Sequence, residues 1–341
     1  MEFDPKFFSY AESIRLRAPM YVGSKDLFGL INYLVCPVAL SLSQRATAIA
    51  VTVDEAITVQ SDAPLAMRLV DGRLAPFEEI TLKTDRHSYE ATVLNALSEE
   101  LTVCVRTAQH TERACFQKGI LISHEVTAAE SQELGTTLRF KPDPEIFQIT
   151  EVSAAIFLSY FRRLSFLHSG TRFSFTAGGT TQHFYTENGI RDLFQSITAP
   201  YQLMHQPIHF VGQEGLLRLE LSMAYHSWSD HHFWCFINNG RAVQGGTHED
   251  GLLLALKQLK KKLKLPEHFH NGMIAVASIQ YPEAVWQGCI KAKIGNPELK
   301  SMVAKLVVSE TEKWLQDQPA VASQIAKLQT FQFPEAWSHS L

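Results

Sequence analysis

The sequence predicts an α+β protein built as two units, and three observations carry that expectation. β-Branched segments that alternate every second residue stand among segments with helical apolar spacing, without the regular strand–helix alternation that builds a parallel sheet. The 341 residues exceed what one hydrophobic core usually organises. The run Lys141-Pro142-Asp143-Pro144 enforces extended backbone at a natural boundary. The units are therefore expected at residues 1–145 and 146–325, with a C-terminal tail at 326–341.

In the first unit a helix is expected from Lys25 to Gln44, then strands Ala46 to Val53 and Ile57 to Gln60 about the turn Asp54-Glu55. A third apolar run, Ala66 to Val70, stops at the turn signal Asp71-Gly72. A short helix, Thr92 to Ser98, precedes strands near Leu101 to Thr107, Arg113 to Phe116 and Thr136 to Phe140. The second unit opens with a helix, Glu151 to Leu167, ended by His168-Ser169-Gly170, where glycine suits a C-cap. Strands follow at Arg172 to Thr176, His183 to Tyr185, Ile208 to Val211, Leu216 to Ala224 and His232 to Ile237. A long helix is expected to open at Thr247-x-x-Asp250, a variant capping box, and to end at Pro266. A buried strand, Met273 to Tyr281, and a helix, Asn296 to Asp317, complete the unit.

Composition narrows the function classes. Apolar residues at 45% and charged residues at 19% describe a folded chain, and no apolar run reaches the length of a membrane span. The N-terminus lacks a signal-peptide pattern, and the five scattered cysteines form no C-x-x-C pair, so reduced thiols, a cytoplasmic location and no membrane partner are expected. A net charge of −4 gives no global attraction to nucleic acid, which leaves local basic faces to be judged separately.

Several ordered segments carry a resemblance. Arg15-Leu16-Arg17-Ala18-Pro19-Met20-Tyr21-Val22-Gly23 resembles R-K-R-P-G-M-Y-I-G, and Asn95-Ala96-Leu97-Ser98 matches V-N-A-L-S. Gly135-Thr136-Thr137-x-x-Phe140-x-Pro142-Asp143 resembles G-T-x-x-x-F-x-P-D, and Arg163-Leu164-Ser165-Phe166-Leu167 is similar to R-E-L-S-F-L. Asn238-Asn239 with Gly245-Gly246-Thr247-His248-x-x-Gly251, and Gly272-Met273-Ile274-Ala275-Val276 with Lys291 and Lys293, extend the set. Together, over roughly residues 12 to 318, they resemble the N-terminal ATPase and transducer regions of the B subunits of DNA gyrase and topoisomerase IV, the type IIA topoisomerases. The resemblance implies a GHKL-type (Bergerat) α/β sandwich followed by a transducer domain of the ribosomal-S5-domain-2-like fold. It also implies ATP-driven dimer closure around DNA.

Position by position, however, the implied nucleotide pocket is altered. ATP hydrolysis on such a fold needs a carboxylate that deprotonates water and an amide oxygen for Mg²⁺, one helical turn apart. Alignment puts Asn32 at the glutamate position and Cys36 at the Mg²⁺ asparagine position, so no catalytic base and no metal site are expected. No acidic residue lies between Phe28 and Val53, and Pro37 interrupts the same helix. The adenine acceptor becomes Ser61 in one alignment and Val70 in another. Lys83-x-Asp85-x-x-Ser88-Tyr89 resembles K-F-D-D-N-S-Y, but the glycine-rich lid that should follow is missing, because Tyr89-Glu90-Ala91 runs directly into Thr92. Lys291 falls on the family's γ-phosphate lysine, with Cys289 at the neighbouring glutamine, and Thr136 falls on the pocket threonine. The family's N-terminal arm is expected to be reduced to about Met1 to Pro5, and no TOPRIM-type acidic cluster is read after residue 318.

Two further groupings are candidates for chemistry. His226, His231 and His232 with His268 and His270 match no standard zinc spacing and read as a solvated strand end. Lys257, Lys260, Lys261 and Lys264 form a basic stretch suited to DNA phosphates, against the ordinary reading of a solvated helix face. The expectation is a non-hydrolysing binding or regulatory module linked to DNA topology, without a bound cofactor, paired with itself or with a gyrase-like protomer. The alternative is an ATP-binding, ATP-hydrolysing fragment of a type IIA topoisomerase with a rebuilt pocket, using ATP and Mg²⁺.

Overall fold

The computed structural model describes residues 9–78, 88–129, 132–149, 153–227, 231–264, 272–287 and 293–327, divided into a first unit to Thr186 and a second from Glu187. The first unit opens with α1 (Tyr10–Leu16), where Ser9 and Glu12 make a reciprocal capping box, and α2 (Ala18–Val22), with Pro19 in its first turn. α3 (Leu27–Ser43) starts at Asp26, whose carboxylate accepts from the backbone N–H of Phe28, and runs on through Pro37. Then come β1 (Ala48–Val53), β2 (Ile57–Ser61), the small hairpin β3 (Arg68–Val70) and β4 (Arg73–Ala75), and α4 (Ser88–Ala96). β5 (Ser98–Arg106), β6 (His110–Gln117), β7 (Ile120–Ala128) and β8 (Gly135–Pro142) follow, and α5 (Ala154–Leu167), β9 (Arg172–Ala177) and β10 (Thr180–Phe184) complete the unit.

These strands form one eight-stranded sheet in the order β10-β9-β1-β2-β8-β5-β6-β7. The alternation expected for β1 is realised: Ile49 and Val51 face the core, while Ala50 and Thr52 lie on the other face. A core of Leu30, Tyr33, Leu34, Val59, Leu138 and Phe140 fills the space between α3 and the sheet. Tyr33 meets Phe140 edge-on with ring centres 5.7 Å apart and lies 5.1 Å from Phe147.

The division between units corrects the boundary expected at 145/146. β9 pairs in parallel with β1, from Ala48↔Arg172 to Val53↔Ala177, so α5, β9 and β10 belong to the first unit. The physical reason lies in the aromatic residues. Phe157 of α5 stacks on Phe175 of β9 and Phe161 packs at a tilt against Phe173, holding in place the strand that pairs the β1 edge.

The second unit contains α6 (Ile190–Thr198), β11 (Ile208–Glu214), β12 (Leu217–Tyr225), β13 (His232–Ile237) and β14 (Gly240–Arg241). After α7 (Thr247–Leu263) come β15 (Met273–Gln280), β16 (Trp286–Gln287), β17 (Lys293–Ile294), α8 (Pro297–Asp317) and α9 (Pro319–Lys327). Its five-stranded sheet has the order β11-β12-β15-β13-β14, with β13 and β15 parallel and joined through α7. α7 and α8 pack closely at Gly251, where an added Cβ would sit 2.8 Å from the Lys300 carbonyl oxygen. The residues read as a tail from 326 begin inside α9, and those beyond 327 lie outside the described residues.

The capping box expected at Thr247 is also corrected. Gly246 is the N-cap of α7, no side chain caps the helix, and Thr247 Oγ1 is buried without a hydrogen-bond partner. Gly246 has φ +137°, and an added Cβ would lie 2.3 Å from the Ile294 carbonyl oxygen, so the approach to β17 sets the start of the helix. Among the described residues no helix is long and apolar enough to cross a membrane.

Candidate functional site

α3 carries the two side chains on which the implied chemistry turns. Asn32 Nδ2 donates to the Val22 carbonyl at 2.7 Å, tying α3 back to the end of α2. One turn on, Cys36 Sγ lies 3.5 Å from the Asn32 carbonyl oxygen, and its side chain is buried. Between them Tyr33 is wholly buried, its hydroxyl 2.7 Å from Ser98 Oγ, which in turn donates to the Leu94 carbonyl. Burial raises the Tyr33 hydroxyl far above its ordinary pKa, so it stays neutral.

Ser61 and Thr136 are brought together as a directly paired position of β2 and β8. Gly135, at φ +140°, lets the strands approach, since an added Cβ would fall 2.1 Å from the Ser61 carbonyl oxygen. Ser61 Oγ donates to the Ala63 carbonyl at 3.2 Å. Thr136 Oγ1 donates to the same carbonyl at 2.7 Å and accepts from Leu65 N–H at 2.8 Å. Both side chains are buried and serve the chain's own turn. Val70 lies apart, on the β3–β4 hairpin, and does not join this group. Tyr89, at the start of α4, stacks on Tyr21 and donates to its carbonyl at 3.1 Å. Lys291, Cys289, Lys83, Asp85 and Met1 to Pro5 lie outside the described residues.

On α7 the buried side consists of Leu252, Ala255, Leu256 and Leu259. Lys257, Lys261 and Lys264 project from the opposite side and are exposed, whereas Lys260 is half-buried. Lys262 reaches Glu312 of α8 at 2.6 Å. Of the histidines read as a solvated strand end, His226 is instead fully buried. His226 and His232 pack on Tyr201, with ring centres 4.9 and 6.1 Å away, and His268 and His270 lie outside the described residues.

A family model for DNA gyrase B matches residues 189–332. The DNA gyrase B protein of a Streptococcus pyogenes strain is 27% identical over 359 residues, covering 93% of this chain and 55% of the relative. That of a Helicobacter pylori strain is 28% identical over 258 residues, covering 70% and 33%. The 43K ATPase domain of Thermus thermophilus gyrase B, crystallised with an aminocoumarin, superposes with a TM-score of 0.78 at 23% identity, covering 94% of this chain and 93% of that one. The ATPase region of Saccharomyces cerevisiae topoisomerase II gives 0.63 at 16%, covering 92% and 98%.

Over most of its length the chain is similar in sequence to the N-terminal region of DNA gyrase B subunits and shares their fold. Its first unit has the GHKL-type sandwich fold and its second the transducer fold. It spans about half the length of the Streptococcus relative, at 55%.

In this gyrase-B-like chain the residues at the implied Mg²⁺ position do not fit that ion. Mg²⁺ takes hard oxygen donors, and at the implied position α3 offers the buried thiol of Cys36.

Several motif residues prove to hold the fold together. Arg15 donates to Asp143 Oδ2 at 2.6 Å and to the Ala96 carbonyl at 2.9 Å, joining three of the resembling segments. Asn95 Nδ2 donates to the carbonyls of Phe77 and Gly119, and Asn238 clasps the Tyr281 backbone, Nδ2 donating to its carbonyl and Oδ1 accepting from its N–H. Sequence reasoning missed one polar cluster in the second unit, formed by Cys235 of β13 with His248 and Glu249 of α7. Its one signal was the Gly-Gly-Thr-His segment, read only as a family mark. Burial lowers the His248 pKa to about 4 and raises those of Cys235 and Glu249.

Proposed function

We propose that this chain is a gyrase-B-like ATPase and transducer module that no longer hydrolyses ATP and acts as a binding or regulatory component in DNA topology. The observation that carries the reading is the Asn32 amide bonded to the Val22 carbonyl where a general base is required. An amide nitrogen donating to a carbonyl cannot accept a proton from water, and α3 has no acidic side chain to replace it. The hydroxyls of Ser61 and Thr136, spent on the turn at Ala63 and Leu65, support the same conclusion for nucleotide binding.

The solvent-facing Lys257, Lys261 and Lys264 support phosphate contact with DNA as the binding activity; a cytoplasmic setting and a second copy or a gyrase-like protomer as partner complete the proposal. Titration calorimetry with a non-hydrolysable ATP analogue and Mg²⁺ tests the proposal, together with a phosphate-release assay in the presence of DNA. The expected result is no saturable heat and no release above a DNA-only control. Micromolar binding with turnover that Lys291→Ala abolishes would overturn the reading in favour of a rebuilt pocket.

A further inference from the structure

The Cys235, His248 and Glu249 cluster lies wholly within the second unit and apart from the residues used above. Cys235 comes from β13, which lies between β15 and the edge strand β14, while His248 and Glu249 occupy the first turn of α7. A sulfur, a ring nitrogen and a carboxylate oxygen lie within 4.8 Å of one another. Three atoms so spaced enclose a point at most about 2.8 Å from each; a tetrahedral zinc ion needs about 2.0–2.3 Å, so each ligand moves inward by at most about 0.8 Å. Ordinary χ adjustments supply that.

A second observation points to a ligand. The His248 side chain is 0% exposed, yet neither ring nitrogen has a hydrogen-bond partner. The nearest Glu249 oxygen, at 3.9 Å from Nε2, is beyond hydrogen-bond reach. Buried imidazole nitrogens are almost always satisfied, so this ring is aimed at something the protein itself does not provide.

We propose that Cys235, His248 and Glu249 bind one divalent cation of the zinc class, with sulfur, nitrogen and oxygen as three ligands and water as the fourth. The donor set excludes Mg²⁺ and Ca²⁺, which take oxygen ligands alone, and suits a borderline-soft ion. Binding removes the thiol proton of Cys235 to solvent. The thiolate and carboxylate then balance the ion's two positive charges, so the buried site is neutral when filled. Arg241, whose charge acts on both Cys235 and Glu249, can turn to solvent from its exposed position. Asp250, one residue on, adds negative potential toward the imidazole.

The test uses the full chain, stripped with a chelator and titrated with Co²⁺. The expected result is a sulfur-to-cobalt charge-transfer band with strong tetrahedral visible absorption, saturating at one ion per chain and bleached by Zn²⁺. Cys235→Ser abolishes the charge-transfer band, His248→Gln weakens binding at least about 10-fold, and the control Cys104→Ser with Cys115→Ser leaves both unchanged. Because buried variants can fail to fold, zinc-edge X-ray absorption on the loaded wild-type chain provides an independent reading: one sulfur with nitrogen and oxygen neighbours. Zinc bound without sulfur, a cobalt band that survives Cys235→Ser, or no binding at micromolar metal would overturn the assignment and leave His248 solvated by water alone.

Discussion

Replacing Arg15 with methionine tests whether the resembling segments persist for stability and not for chemistry. The guanidinium makes two bonds that close the first unit, to Asp143 at 2.6 Å and to the Ala96 carbonyl at 2.9 Å. The Asp143 side chain is 0% exposed and that of Arg15 17%, so the substitution leaves a carboxylate without its cation away from water. Such a loss costs about 3–5 kcal/mol. Asp143 keeps one donor, the Glu145 N–H at 2.8 Å, which argues for the lower end, about 3 kcal/mol.

Asp143→Asn retains that turn and should cost about 1–2 kcal/mol, and the pair should couple by about 2 kcal/mol in a double-mutant cycle. The probe must report the first unit. All five tryptophans belong to the second, so hydrogen exchange of β5 peptides is the appropriate measurement. A loss of about 3 kcal/mol corresponds to exchange roughly 100-fold faster where global opening governs it. A cost for Arg15→Met below about 1 kcal/mol, or coupling within about 0.3 kcal/mol of zero, would refute the reasoning.

Four other outcomes are expected. Gly246→Ala should cost about 2–4 kcal/mol, read from the urea midpoint by tryptophan fluorescence, because its Cβ meets the backbone of Ile294 at 2.3 Å and its φ is +137°. Thr136→Val should cost about 2 kcal/mol in exchange protection of β8 by leaving Leu65 N–H unpaired in the core, with no change in nucleotide titrations. Alanine at Lys257, Lys261 and Lys264 together should lower the slope of log affinity against log salt for duplex DNA by about 2–3, and an unchanged slope would remove this face from the proposed contact.

The last concerns acid. Burial, with the nearby Arg191 charge, lowers the His209 pKa from 6.5 to about 4. The unfolded chain therefore takes up a proton between those values that the folded one refuses. Stability is complete above pH 6.5 and is lost as pH falls toward 4, by about 1–2 kcal/mol between pH 6.5 and 5. The raised pKa of Glu220, 3.9 Å from the His209 ring, partly opposes this at the acid end. His209→Gln should flatten the fall in urea midpoint over that range.

Most elements were legible from period and punctuation. β1, β13, α7 and α8 fall within a residue or two of expectation because their apolar spacing is regular. β7 was not foreseen: Ile120, Ile122 and Val126 are exposed on an edge strand whose register shifts beside it, between Cys115 and Phe116, so alternation could not mark it. α1, α2, α6 and α9 were missed because each has nine residues or fewer, too few for a repeated apolar face to mark it. At the candidate site, the identities of Asn32 and Cys36 were readable, but their commitment to Val22 and to the α3 backbone was not.

By itself the sequence determined what chemistry α3 can offer, because an amide and a thiol lack the basic oxygen of a carboxylate in any fold. Only the tertiary structure decided where the first unit ends, which hydroxyls are spent on turns, and that Cys235 meets His248 and Glu249. Those outcomes depend on pairings such as β1 with β9 and β13 with β15, between residues far apart in the chain. Local spacing carries no information about such partners, because burial of a whole sheet edge or helix face selects them.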